Sequence, residues 1–133
     1  MKKYFLGIDS GSTLCKAVVM NTEGILDTYA VKTGWNPYVS ARESLEVLKK
    51  RNGLSDDEVC IATTGYGREA IDFADYTVTE ITCHAYGGVY LMPDIQGIID
   101  IGGQDSKVIQ IQNGRPINFL MNDKCAAGTG RFL

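Results

Sequence analysis

The sequence predicts an α/β protein built from one complete βββαβαβα unit followed by the first three strands of a second such unit. Three observations carry this. "DSGSTLCK" at residues 9–16 and "DIGGQDSK" at residues 100–107 share the pattern Asp-x-Gly-x-x-x-x-Lys. A shift of 91 residues lays Asp9 on Asp100, Gly11 on Gly102 and Lys16 on Lys107, with apolar runs of strand length on both sides of each turn. Between the two turns lies a segment with helical periodicity and its own start and stop signals.

Taken in order, "YFLGI" (Tyr4 to Ile8) is a short apolar strand ended by the turn formers Asp9, Ser10, Gly11, Ser12 and Thr13. "LCKAVVM" is a second strand, and Asn21-Thr22-Glu23-Gly24 turns the chain into a third, "ILDTYAV", which suggests an antiparallel meander. "SARESLEVLKKRNG" reads as a helix: Ser40 and Glu43 have capping-box spacing, Leu45 and Leu48 share a face, and Gly53 is a stop. Trp35, beside Asn36-Pro37, is expected to pack a loop. "EVCIATTG" follows as a buried strand, "REAIDFA" as a short helix, "YTVTEI" as an alternating strand and "TCHAYGGVYLM" as an apolar helix ended by Pro93. The pattern then restarts with "GIIDIGG" and "KVIQIQ", the hairpin signal Asn113-Gly114, and "PINFLMN" before "DKCAAGTGRFL". The expected division is residues 1–94 as a complete first subdomain and 95–133 as the start of a second.

Composition narrows the function. The chain has 133 residues, 44% hydrophobic and 22% charged, enough for a real core. A net charge of −3 and a pI near 5.1, with no dense Lys/Arg cluster, argue against nucleic acid as a partner. The apolar run before Asp9 is too short for a signal-peptide core, and nowhere do about 18 apolar residues follow one another, so no membrane association and a cytoplasmic location are expected.

The glycine turns suggest what the repeat is for. A tight hairpin can aim backbone N–H groups at one point when side chains do not block the approach, and Gly11, Gly102 and Gly103 remove that obstruction. Ser12 and Thr13 add hydroxyl donors. Asp9 and Asp100 each end a buried strand, where a carboxylate can hold Mg²⁺ directly or through its waters. Either turn alone fits an ordinary hairpin; two matched turns point to a shared cause, which a Mg-nucleotide held between two related halves supplies. Neither turn is a P-loop or a dinucleotide-binding fingerprint. Lys16 and Lys107 lie several residues into their strands, where a phosphate contact and a solvated strand lysine fit equally well; Lys16 is taken into the nucleotide site. Gln104 stands where an amide could orient an attacking water and Asp105 where a carboxylate could accept its proton. His84, in an apolar stretch, reads as structural. Cys15, Cys60 and Cys83 read as small hydrophobes, and no Cys-x-x-Cys pair is present.

The duplicated unit with its Asp-x-Gly hairpins resembles the actin, Hsp70 and sugar kinase superfamily, whose actin-like, ribonuclease H-like fold closes two lobes over Mg-ATP. "TTGYGR", "TEITCHAYGG", "DIGGQDSK" and "NDKCAAGTGRF" are more closely similar to the BadF/BadG/BcrA/BcrD ATPase family, the ATP-dependent activators of 2-hydroxyacyl-CoA dehydratases and benzoyl-CoA reductases. The resemblance implies ATP/ADP and Mg²⁺ as ligands and a homodimer sharing one [4Fe-4S] cluster, with Cys125 as one ligand from each chain. It implies a low-potential electron passed from ferredoxin or flavodoxin to a partner dehydratase or acyl-CoA reductase. It also implies a second cluster cysteine and an adenosine-binding segment beyond Leu133, so that the chain is the N-terminal part of a longer parent. Cys125, before a small-residue turn and a helix-like start, suits a thiolate ligand, because free N–H groups and the helix dipole lower a thiol pKa. The competing readings are a small-molecule kinase of the same superfamily and a non-catalytic actin-like nucleotide-binding protein; neither gives Cys125 a role.

Overall fold

The computed structural model describes residues 2–102 and 106–122, which fall into two compact units, Met1–Thr79 and Glu80–Leu133. The first holds five strands, β1 (Tyr4–Ser10), β2 (Leu14–Asn21), β3 (Gly24–Lys32), β4 (Val59–Thr64) and β5 (Tyr76–Thr77), with helix α1 (Pro37–Asn52). The second holds helix α2 (Glu80–Leu91) and strands β6 (Gly97–Ile101), β7 (Ser106–Gln112) and β8 (Arg115–Asn122). The sequence repeat puts its boundary after residue 94, whereas compactness divides the chain before Glu80, because α2 packs on β7 and β8.

In the first unit the sheet order is β3-β2-β1-β4-β5. The first three strands form the expected meander, and β4 joins β1 in parallel after the crossover through α1. Alternation decides the covered face: Leu6, Ile8, Cys15, Ala17, Val19, Val59 and Ile61 point to one side. Ala41, Leu45 and Leu48 of α1 close over them. Each fully buried Leu or Ile contributes about 1.5–3 kcal/mol of transfer free energy. In the second unit β6-β7-β8 is again an antiparallel meander, and Ala85 of α2 packs with Ile109 and Ile111. Asn113 and Gly114 both take positive φ, at 54° and 74°, as a tight hairpin turn demands.

Several elements differ from their sequence expectation. The first helix starts at Pro37 instead of near Ser40, because the Asn36 side chain accepts from the Tyr38 N–H at 2.9 Å and proline at the first helical position has no N–H to leave unsatisfied. Ser40 is buried inside the helix, its hydroxyl donating to the Pro37 carbonyl at 3.2 Å. Trp35 is fully exposed and packs nothing. "REAIDFA" forms only a 3-10 turn at Arg68–Ala70. Helix growth stops there because Asp75 ties the chain back to the sheet, its carboxylate accepting from the Ile61 N–H at 2.8 Å and its own N–H donating to the Ile61 carbonyl at 2.8 Å. The expected strand "YTVTEI" shrinks to Tyr76–Thr77, since Glu80 and Ile81 belong to α2.

Cys15 is buried against α1, its sulfur 3.6 Å from the Ser44 hydroxyl. Burial pushes this thiol above its ordinary value of 9.0. The folded state therefore holds the proton more tightly than the unfolded chain does, so the contribution to stability is full below about pH 9 and is lost as pH rises further. Among Cys15, Cys60 and Cys83, a thiol reagent should label Cys15 last, and the fall in denaturant midpoint between about pH 8 and about pH 10 should be smaller in Cys15→Ala. An equal fall in the two proteins would remove the thiol from the alkaline transition.

Candidate functional site

One candidate cluster lies in the first unit, at the carboxyl ends of β1 and β4, where Asp9 pairs in register with Thr64 across the parallel strands and with Lys16 across the antiparallel ones. Asp9 Oδ2 is 3.3 Å from Lys16 Nζ. The turn after β1 closes through the Gly11 N–H, which donates to the Leu14 carbonyl at 3.0 Å; a Cβ at Gly11 would stand 2.8 Å from that oxygen. Glycine is thus set by the hairpin itself, and Ser12 and Thr13 form its exposed tip. Thr33 ties the turn to β3: its hydroxyl donates to the Gly11 carbonyl at 2.7 Å and its N–H to the Thr13 carbonyl at 2.9 Å.

The third wall of this corner comes from "TTGYGR", to which sequence reasoning gave no site role. Gly65 has φ +94°, and a Cβ there would fall 2.5 Å from the Ser10 carbonyl and 2.6 Å from Asp9 Oδ1. The Gly67 N–H donates to the Ser10 carbonyl at 2.9 Å, and a Cβ on Gly67 would meet the Ser10 hydroxyl at 2.5 Å. The signal that could have found it was two glycines spaced one residue apart directly after a buried strand. The hydroxyl of Thr64, which pairs with Asp9 in register, is buried without a hydrogen-bond partner among the described residues, as are those of Ser10 and Thr63 on the face that α1 covers. Each such group costs about 1–3 kcal/mol if left unsatisfied, so hydroxyls of this kind mark a place where a ligand or ordered water belongs.

A second cluster lies in the second unit, at the end of β6. Asp100 pairs in register with Lys107, its Oδ2 3.4 Å from Lys107 Nζ. Lys107 also lies 3.6 Å from Glu80 Oε2 of α2. His84, read as structural from sequence, brings Nδ1 to 3.2 Å from the same Asp100 oxygen, though out of line for a hydrogen bond. Gly102 follows β6 directly. Gly103, Gln104, Asp105 and Cys125 lie outside the described residues. Among the described residues no three His, Cys, Asp or Glu side chains converge as a metal-binding group, and no helix is long and apolar enough to cross a membrane.

Each unit therefore presents a strand-end carboxylate paired to a lysine one strand away, and the repeat holds at the level of register: Ile8 opposite Ala17 corresponds to Ile99 opposite Val108. This is the actin-like ATPase fold, shared with the crystal structure of component A of (R)-2-hydroxyglutaryl-CoA dehydratase from Acidaminococcus fermentans at TM-score 0.83 and 40% identity, over 98% of this chain and 51% of that one. The chain belongs to the BadF/BadG/BcrA/BcrD ATPase family, whose pattern matches residues 6–133. It is 44% identical to the A. fermentans (R)-2-hydroxyglutaryl-CoA dehydratase activating ATPase, over 100% of this chain and 52% of the relative. It is 50% identical to the uncharacterized Escherichia coli protein YjiL, over 98% of this chain and 50% of the relative. The activator of 2-hydroxyisocaproyl-CoA dehydratase from Clostridium difficile, solved with bound ADPNP, matches at TM-score 0.78 and 43% identity, over 96% of this chain and 48% of that one. The chain thus spans about half the length of the curated relatives it matches.

Gly65 and Gly53 separate conformational strain from crowding. Both have positive φ, but a Cβ at Gly53 meets nothing within 4 Å. Gly53→Ala should cost about 1–2 kcal/mol, the usual left-handed penalty, and Gly65→Ala distinctly more, with the excess read as a lower denaturant midpoint. Equal midpoints would mean that the turn gives way easily and does not brace Asp9.

Proposed function

We propose that the parent protein is an ATP-hydrolysing activator that passes a low-potential electron to an acyl-CoA dehydratase or related reductase. The observation that carries the nucleotide part is the strand-end carboxylate of Asp9, beside the buried, partnerless Thr64 hydroxyl and between turns where a Cβ at Gly11 or Gly65 would collide with backbone oxygen, an arrangement that suits a phosphate and its metal. The names of the family and of the relatives above support the activator part, as does the ADPNP bound in one of them.

In this reading Asp9 and Asp100 hold Mg²⁺, directly or through its waters, and Lys16, Ser12, Thr13 and the glycine turns receive the phosphates. Gln104 orients the attacking water and Asp105 accepts its proton. Cys125 is the thiolate that each subunit of a homodimer gives to a [4Fe-4S] cluster, which when bound supplies one-electron chemistry near the family's low potentials. A second thiolate per subunit comes from the part of the relatives' length that this chain does not span. Ferredoxin or flavodoxin serves as donor.

The full-length protein, isolated without oxygen, should be brown with about four irons per dimer, and Cys125→Ser should bleach it while nucleotide affinity survives. Full iron content in that variant would refute the electron-transfer role. In parallel, Asp9→Asn and Asp100→Asn should each slow Mg-ATP hydrolysis by about 100-fold or more, since charge neutralisation dominates phosphoryl transfer; steady-state phosphate release near the wild-type rate in both would reject the carboxylates as metal ligands.

A further inference from the structure

The two Asp–Lys pairs occupy equivalent register positions but differ in their surroundings. The Lys16 side chain is 56% exposed and pairs with Asp9, whereas the Lys107 side chain is 5% exposed and faces two carboxylates, Asp100 on β6 and Glu80 on α2. The cause is which face of each meander a helix covers. In the first unit α1 covers the face of Cys15, Ala17 and Val19; in the second, α2 covers the opposite one, that of Lys107, Ile109 and Ile111. A lysine buried this far keeps its charge only if it is neutralised on the spot. To reach a phosphate it would have to abandon both carboxylates, whereas Lys16 would give up a single exposed pair of little net strength. His84 lies one turn along α2 from Glu80, and its ring nitrogen approaches the same oxygen, Asp100 Oδ2, that Lys107 contacts.

We propose that Glu80 and Lys107 are positioning residues for the Asp100 carboxylate. Glu80 anchors the Lys107 ammonium, and Lys107 fixes Oδ2, so that Oδ1 is the oxygen offered to the magnesium of a bound nucleotide. The repeat is thereby functionally lopsided: its first lysine is available to phosphate, and its second is a structural counter-ion. Glu80 matters doubly, because without its charge Lys107 would pair more strongly with Asp100 and compete with the metal for that carboxylate. The inference rests on the magnesium-nucleotide reading above.

Calorimetric titration of the full-length protein with ADP, once with Mg²⁺ and once with EDTA, separates the roles. Glu80→Gln and Lys107→Met should each reduce the Mg²⁺-dependent gain in ADP affinity by about tenfold while changing the affinity in EDTA by less than about twofold. The double variant should be no worse than either single one, because the residues act through the same carboxylate. Lys16→Met, in contrast, should weaken ADP binding under both conditions. If Lys107→Met weakens binding equally with and without Mg²⁺, Lys107 is a phosphate ligand and the proposal fails. It fails too if Glu80→Gln, a nearly isosteric change that should fold even if Lys107→Met does not, keeps the full Mg²⁺ gain. Wild-type protein that binds no Mg-ADP at all would overturn the nucleotide reading itself, a result distinct from either of these.

Discussion

Parallel pairing of β1 with β4 is the constraint from which the first unit follows. Two parallel strands cannot be joined by a tight turn, so the chain must leave the sheet after β3, run through α1 and return. That detour provides the helix that buries Leu6, Ile8, Val19 and Val59. It also sets the carboxyl ends of β1 and β4 side by side, placing Asp9 beside Thr64 and bringing the Gly65 turn down onto Ser10. In open α/β sheets ligands collect outside the carboxyl ends of parallel strands, where loops diverge and backbone groups are not spent on the ladder. Here the turn is so close that only glycine fits at residues 65 and 67.

The duplicated meander shows how one local design serves two electrostatic ends. The strand-end Asp and its cross-strand Lys recur at the same register in both units. Covering the opposite face changes everything about the lysine: solvated in one case, enclosed between β6 and α2 in the other. Neither the turn sequence nor the strand sequence carries this difference. It is a property of which element packs on the sheet.

Much of the architecture was legible because its signals are local. Apolar runs bounded by turn formers marked β1 to β4 and β6 to β8, and Asn113-Gly114 marked the hairpin by the positive φ that only such residues adopt readily. What was missed depended on contacts between distant residues. Proline at the first helical position and the Asn36 cap outweighed the Ser40 and Glu43 spacing. The Asp75 side chain, reaching back to Ile61, cut short a segment whose composition favours helix. Asp9, Gly11, Asp100 and Gly102 stand at strand ends and turns and Lys16 lies inside β2, as their spacing implied, while the approach of Thr64, Gly65 and Gly67 to the end of β1 was invisible because it arises from a parallel partner more than fifty positions away. The ion pair of Glu80 with Lys107 was hidden for a similar reason: Glu80 belongs to a helix whose apolar composition drew the eye to packing.

Among the described residues nothing covers one side of the β6-β7-β8 sheet, and this has a practical meaning. Ile99 and Ile101, each 72% exposed, stand there with Val108 and Leu120, on the face that α1 conceals in the first unit. A run such as Ile98-Ile99-Asp100-Ile101 is unsuited to a sheet wetted on one side, where polar residues would alternate. Left bare in solution, four neighbouring aliphatic side chains act as an adhesive, and a preparation of these 133 residues would tend towards oligomers and turbidity at high concentration. Polar replacements at Ile99 and Val108 would make the more tractable sample for spectroscopy.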